Sequence, residues 1–135
     1  MRYVSSALAM ALALSCSALA QEPTKDTQHS QHSSSLGYSS VSAAFKALKS
    51  RRDVSISVQG SWTIVSDPAS QTLWSFTPET HAAHPAVVRR MVVQRGDEIG
   101  IDMKGLCEAS KAACDRLMTE FEALNAQIRE SMKRR

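Results

Sequence analysis

The sequence predicts an α+β domain: an antiparallel sheet of four to five strands in meander order, packed against an N-terminal helix and a longer C-terminal helix. Three observations carry this. Apolar residues recur at the helical period just after residue 40. The period then drops to two and stays there, in short segments broken by turns, as far as Met103. A long helical stripe fills the C-terminal end. Helices set apart from a run of meander strands form a two-layer domain when both lie on one face of the sheet, and that arrangement is expected here.

The first helix rests on Val41, Ala44, Phe45 and Leu48, with Ser39 and Ser40 as caps for its start. Lys46, Lys49, Arg51 and Arg52 crowd its end, where the helix dipole favours cations. Val54, Ile56 and Val58 then alternate with Ser55, Ser57 and Gln59, the pattern of a half-buried strand. Gly60-Ser61 is a two-residue hairpin turn leading into a β-branched second strand at 62–66. Asp67-Pro68-Ala69-Ser70 is a turn, because Asp accepts from the following backbone and Pro presets φ. A third strand covers 71–77, with Trp74 and Phe76 on one face and Leu73 on the other; which face is buried stays open. After a loop at 78–85, a fourth strand is expected at 86–94, a turn at 95–98 and a fifth strand at 99–103. Arg95-Gly96-Asp97 is explained by turn chemistry. The last helix spans about 110–132, with Cys114, Leu117, Met118, Phe121, Leu124 and Ile128 as its apolar stripe.

The N-terminus reads as a secretory signal. Arg2 gives the charge, residues 4–14 the apolar run, and Ala18-Leu19-Ala20 the small-residue site, so cleavage is expected after Ala20. Cys16 makes a poor lipid-anchor site, since Leu14 stands where a lipoprotein signal carries a small residue. The domain plan is therefore a signal peptide at 1–20, a disordered polar tail at 21–38 that lacks large apolar residues, and one α+β domain at 39–135. No later stretch is long and apolar enough for a transmembrane helix. The formal net charge of +3, spread along the chain, is far from the basic excess of a nucleic-acid binder.

Beyond the signal the chain holds two cysteines, Cys107 and Cys114. In an oxidising compartment an even pair points to one disulfide. On a continuous helix, seven residues rise about 10 Å, which no disulfide spans. The bridge is reachable if Ser110 caps the last helix and leaves Cys107 in the preceding turn; otherwise the pair are two buried thiols.

The most chemically suggestive stretch is Pro-Glu-Thr-His-Ala-Ala-His-Pro at 78–85. His81 and His84, with Glu79 nearby, have ligand types suited to zinc or copper. Two imidazoles make a thin site, and the flanking prolines disfavour the helix that would bring a three-residue spacing to one side. The plainer reading is a surface loop. The disordered-region pair His29 and His32 has the same spacing. No nucleophile elbow, glycine-rich phosphate loop, carboxylate pair or Cys-x-x-Cys motif occurs, so neither catalysis nor a cofactor is expected. Trp62, Trp74 and Phe76 fit a core under the helices; Trp74 and Phe76 also fit an open patch beside the loop.

The segments LWSFTPETHAAHPAVVRR and LCEASKAACDRL resemble those of a family of small exported proteins of Gram-negative bacteria with no known activity. The shared features are a Trp-Ser-Phe-x-Pro strand end, a His-Pro loop and the two cysteines, within residues 45–125. Some members carry a J-domain label; here Ala86 follows His84-Pro85, so the His-Pro-Asp tripeptide of that domain is missing. The resemblance implies an envelope location and one compact domain. The expected function is thus that of a periplasmic binding or accessory protein engaging an envelope protein. Its surface would comprise Trp74, Phe76, His81, His84, Arg89 and Arg90. The alternative is a periplasmic metal-binding or metal-stress protein using His81 and His84.

Overall fold

A computed structural model describes residues 36–134 of the chain. The signal peptide, its cleavage site, Cys16, His29, His32 and most of the polar tail lie outside the described residues. The elements are α1 (Val41–Lys49), β1 (Ser55–Gln59), β2 (Trp62–Asp67), β3 (Thr72–Phe76), β4 (Ala86–Arg95), β5 (Glu98–Cys107) and α2 (Lys111–Lys133). The five strands form one antiparallel meander in the order β1-β2-β3-β4-β5. The expected α+β fold class is therefore present. Among the described residues no helix is long and apolar enough to cross a membrane.

Local chemistry accounts for the element ends. Ser40 caps α1 by accepting from the Ala43 N–H, and Ser110 caps α2 by accepting from the Ala113 N–H. Gly60 and Gly96 each open a two-residue hairpin turn at φ +62°, a conformation that glycine enters without steric cost. Strand β5 runs to Cys107, four residues beyond its expected end, so Cys107 closes the sheet instead of lying in a turn. Its Sγ is 2.07 Å from that of Cys114 in the first turn of α2, with Cα atoms 5.8 Å apart. The chain turns between the two cysteines, and the disulfide pins α2 to the end of β5.

The helices do not share a face. Val87 and Val88 are consecutive in β4 and both fully buried, yet they belong to different cores. Successive strand residues point to opposite faces. Val87 joins Val65, Trp74, Phe76 and Leu106 under α1, whose Val41, Ala44 and Leu48 cover them. Val88 joins Ala86, Cys107, Leu117 and Phe121 under α2. The expectation of two helices on one face is thus corrected: the sheet is the middle of three layers. Leu36 and Tyr38 also pack into the α1 core, with the Tyr38 ring edge-on to Trp74 at 5.8 Å. The end of the supposed disordered tail is therefore part of the domain.

The α2 stripe differs from expectation at one place. Asn125 is buried there and donates through Nδ2 to Met103 Sδ at 3.3 Å, while Leu124 is exposed. A charged tie fixes the other layer. Arg51, just after α1, reaches the buried Asp67 at the end of β2 at 2.8 Å and also pairs with Asp53. Bonds from Ser70 and then from Arg51 hold the Asp67 carboxyl below its ordinary range.

Replacing both Cys107 and Cys114 by Ser lowers unfolding free energy by about 2 kcal/mol on a short-loop entropy argument, measured by urea denaturation. A carboxylate depressed by folding contributes stability above its unfolded pKa and loses it as pH falls through the folded one. Stability should therefore drop as pH falls below about 4, and Asp67→Asn should flatten that part of the pH–stability curve while lowering stability at pH 7.

Candidate functional site

The loop at 78–85 joins β3 to β4 and is held at several points. Thr77 N–H donates to Ala86 O, and Ala86 N–H donates back to Thr77 Oγ1 at 2.9 Å. Two tight turns follow, His81 N–H to Pro78 O and His84 N–H to His81 O. The His84–Pro85 peptide is cis. Ala83, fully buried, anchors the middle of the loop in the α2 core. Glu108 N–H donates to Pro85 O, which fixes the exit.

This bracing sends the two histidines to different sides. His84 Nδ1 lies 3.0 Å from Thr77 O; a carbonyl only accepts, so Nδ1 carries the hydrogen and Nε2 is left as an acceptor. His84 lines a groove with α1. His81 turns toward α2: its Nδ1 accepts from Ala83 N–H at 3.0 Å, its ring stands edge-on to Trp62 at 5.2 Å, and Nε2 faces Glu120 at 3.9 Å. The pair expected as joint metal ligands is not brought together. Among the described residues no three of His, Cys, Asp and Glu gather as a metal-ligand set.

The α1-side groove has a volume of about 540 Å³. Phe45, Phe76, Pro78 and Pro85 give it apolar walls; Ser42, Thr63 and His84 supply polar groups. Phe45 and Phe76 meet edge-on at 5.1 Å, which stiffens that wall. A second groove of about 320 Å³ lies on the opposite face, where α2 covers β1, β2 and β3 only in part. Trp62 and Phe121 wall it, their rings edge-on at 5.8 Å, with Ile64 and Ser75 beneath and Arg90 at one end.

No known family model, curated protein or solved structure matches the chain.

The remaining site residues separate by the same two-face logic. Trp74 and Phe76 are only 7% and 6% exposed and belong to the α1 core. Their expected role as an open contact patch is corrected, because α1 and Tyr38 cover that face of β3. Only part of Phe76 reaches the groove. Arg89 and Arg90, adjacent in β4, face opposite ways. Arg89 is neutralised by Asp102 on β5 at 2.9 Å and lies 6.0 Å from the Trp74 ring centre. Arg90 lies over the Phe121 ring at 5.2 Å and has no acidic partner among the described residues. Its burial shifts the guanidinium pKa down, since desolvation disfavours the charge.

Sequence reasoning missed Trp62, Ser75, Glu120 and Phe121 as members of a shared site. A signal existed: Trp62 and Val65 are three residues apart in one strand, so they must point opposite ways. Trp74→Ala should cost about 3–5 kcal/mol, the scale of emptying a large core site. Leu73→Ala, on the exposed face of the same strand, should cost less than about 1 kcal/mol. Chemical denaturation of the two variants measures both.

Proposed function

We propose that the chain is exported and acts in the cell envelope as a small binding or accessory protein. It contacts a partner protein through the 78–85 loop and the groove between that loop and α1. The supporting observation is the groove itself: about 540 Å³, walled by two aromatic rings and two prolines, with the free Nε2 of His84 at its side. Protein-binding surfaces combine a rigid apolar centre with a few placed polar groups. The bracing of the loop by Thr77, Ala83 and Glu108 preorganises that centre, so little ordering entropy opposes binding. The working surface is accordingly Phe45, Pro78, His84 and Pro85, with part of Phe76, rather than Trp74 and the arginines. The zinc or copper alternative on His81 and His84 gains no support from the geometry, because each ring already spends Nδ1 on the backbone and the two face different helices.

Two measurements test the reading. A photo-crosslinking residue placed at Glu79 in living cells should give a discrete adduct that Thr63→Arg, filling the groove floor, removes. The same residue at Glu122, on exposed α2, should give none. Adducts of equal yield from both positions, or none from Glu79, would reject the surface. For export, mass spectrometry of the osmotic-shock fraction should find a chain beginning at Gln21; recovery of only the intact chain inside spheroplasts would reject the location.

A further inference from the structure

The second groove, between α2 and the partly covered half of the sheet, has an electrostatic and hydrogen-bonding imbalance. Five buried side-chain polar atoms lack a protein partner among the described residues, and two of them, Ser75 Oγ and Arg90 Nε, border this groove. Ser75 is 2% exposed and lines the groove whose wall includes Trp62 and Phe121, two rings in edge-on contact. The strand register explains their closeness. Leu73 is the cross-strand partner of Arg90, so Ser75, two residues on, is the diagonal neighbour of Arg90 on the same face. The contrast with Arg89 is informative: the same strand carries two arginines, and only the one facing away from this groove is matched by a carboxylate.

A half-buried cation without a counter-charge and a buried hydroxyl without a partner are both costly to maintain. One ligand group answers both. A carboxylate offers two acceptor oxygens to a guanidinium fork and has lone pairs left for a hydroxyl. A phosphate dianion fits less well. The groove presents one cation, and the Glu120 carboxylate at its rim opposes a second negative charge. The walls set the rest of the ligand: Trp62, Ile64, Phe121 and Leu124 are apolar, and the volume of about 320 Å³ is at the small end of ligand sites. We propose that this groove binds a small monocarboxylic acid with an aromatic or branched aliphatic body, its carboxylate on Arg90 and Ser75 and its body against the wall that Trp62 and Phe121 form together. This is independent of the partner surface on the other face.

The experiment titrates the purified protein with 3-phenylpropanoate and, separately, with its neutral amide, following the Trp62 indole N–H resonance. The acid should saturate that shift and bind at least about tenfold more tightly than the amide, the scale of a charge-assisted bond. Arg90→Met should erase the difference, and Ser75→Ala should weaken the acid by about fivefold. Leu124 is exposed at the rim, so Leu124→Glu probes the site without disturbing the core. It should weaken the acid several-fold by charge repulsion, where Leu124→Gln does not, and this pair decides the matter even if Arg90→Met fails to fold. Equal affinity for acid and amide, tighter binding of phenyl phosphate than of the acid, or indifference to Leu124→Glu would overturn the proposal.

Discussion

Strand β4 is buried on both faces where it begins, and the rest of the architecture follows from that. Val87 and Val88 are both inaccessible to solvent. Two consecutive strand residues cannot be covered from one side, so each needs its own layer. The chain has two helices, and they take one face each. A single helix is too narrow to cover a five-stranded sheet: α1 packs on residues of β2, β3, β4 and β5, and α2 packs mainly on β4 and β5, with Phe121 reaching Trp62 of β2. What each helix leaves open becomes a groove beside it. The two candidate sites are thus consequences of an offset between the helices, and the loop at 78–85 lies at the point where the faces meet.

The charges follow the same offset. On the α1 face, Arg51 and Asp67 tie the helix exit to the end of β2, and Arg89 is matched by Asp102 across the β4–β5 pair. These pairs are internal to the fold. On the α2 face Arg90 lies over an aromatic ring and forms no ion pair among the described residues. A cation held over a ring gains something from the π-system, but less than a carboxylate would give it when partly desolvated. The asymmetry between neighbouring arginines therefore separates a structural charge from one that is available for recognition.

Much of this was legible in the chain. The period switch at Val54, the Gly60-Ser61 and Gly96-Asp97 turns, and the Ser40 and Ser110 caps each act within a few residues, so they can be read locally. The layer assignment cannot. Placing Trp62 and Trp74 on opposite faces needs the register Val65 to Trp74, a pairing between strands that alternation within either strand does not specify. Leu124 and Asn125 show the same limit. The helical period favours Leu124 for the core, but the helix is rotated so that Asn125 meets Met103 and Leu124 borders the groove. Glu108 was silent for a similar reason: its partner on α1 is 67 residues away.

Glu108 also shows how a chain of this length holds three layers together. It follows Cys107, whose disulfide commits the start of α2 to the sheet. Its N–H donates to Pro85 O and closes the 78–85 loop, and its carboxylate accepts from Val41 N–H at 3.3 Å, at the first turn of α1. A carboxylate there satisfies an orphan donor and opposes the positive end of the helix dipole. One residue thus couples the strand that ends the sheet, the loop that borders the α1-side groove, and the helix that walls the same groove. The disulfide is on the α2 side of this junction and the carboxylate on the α1 side. Together they tie the loop that walls the α1-side groove to the start of each helix.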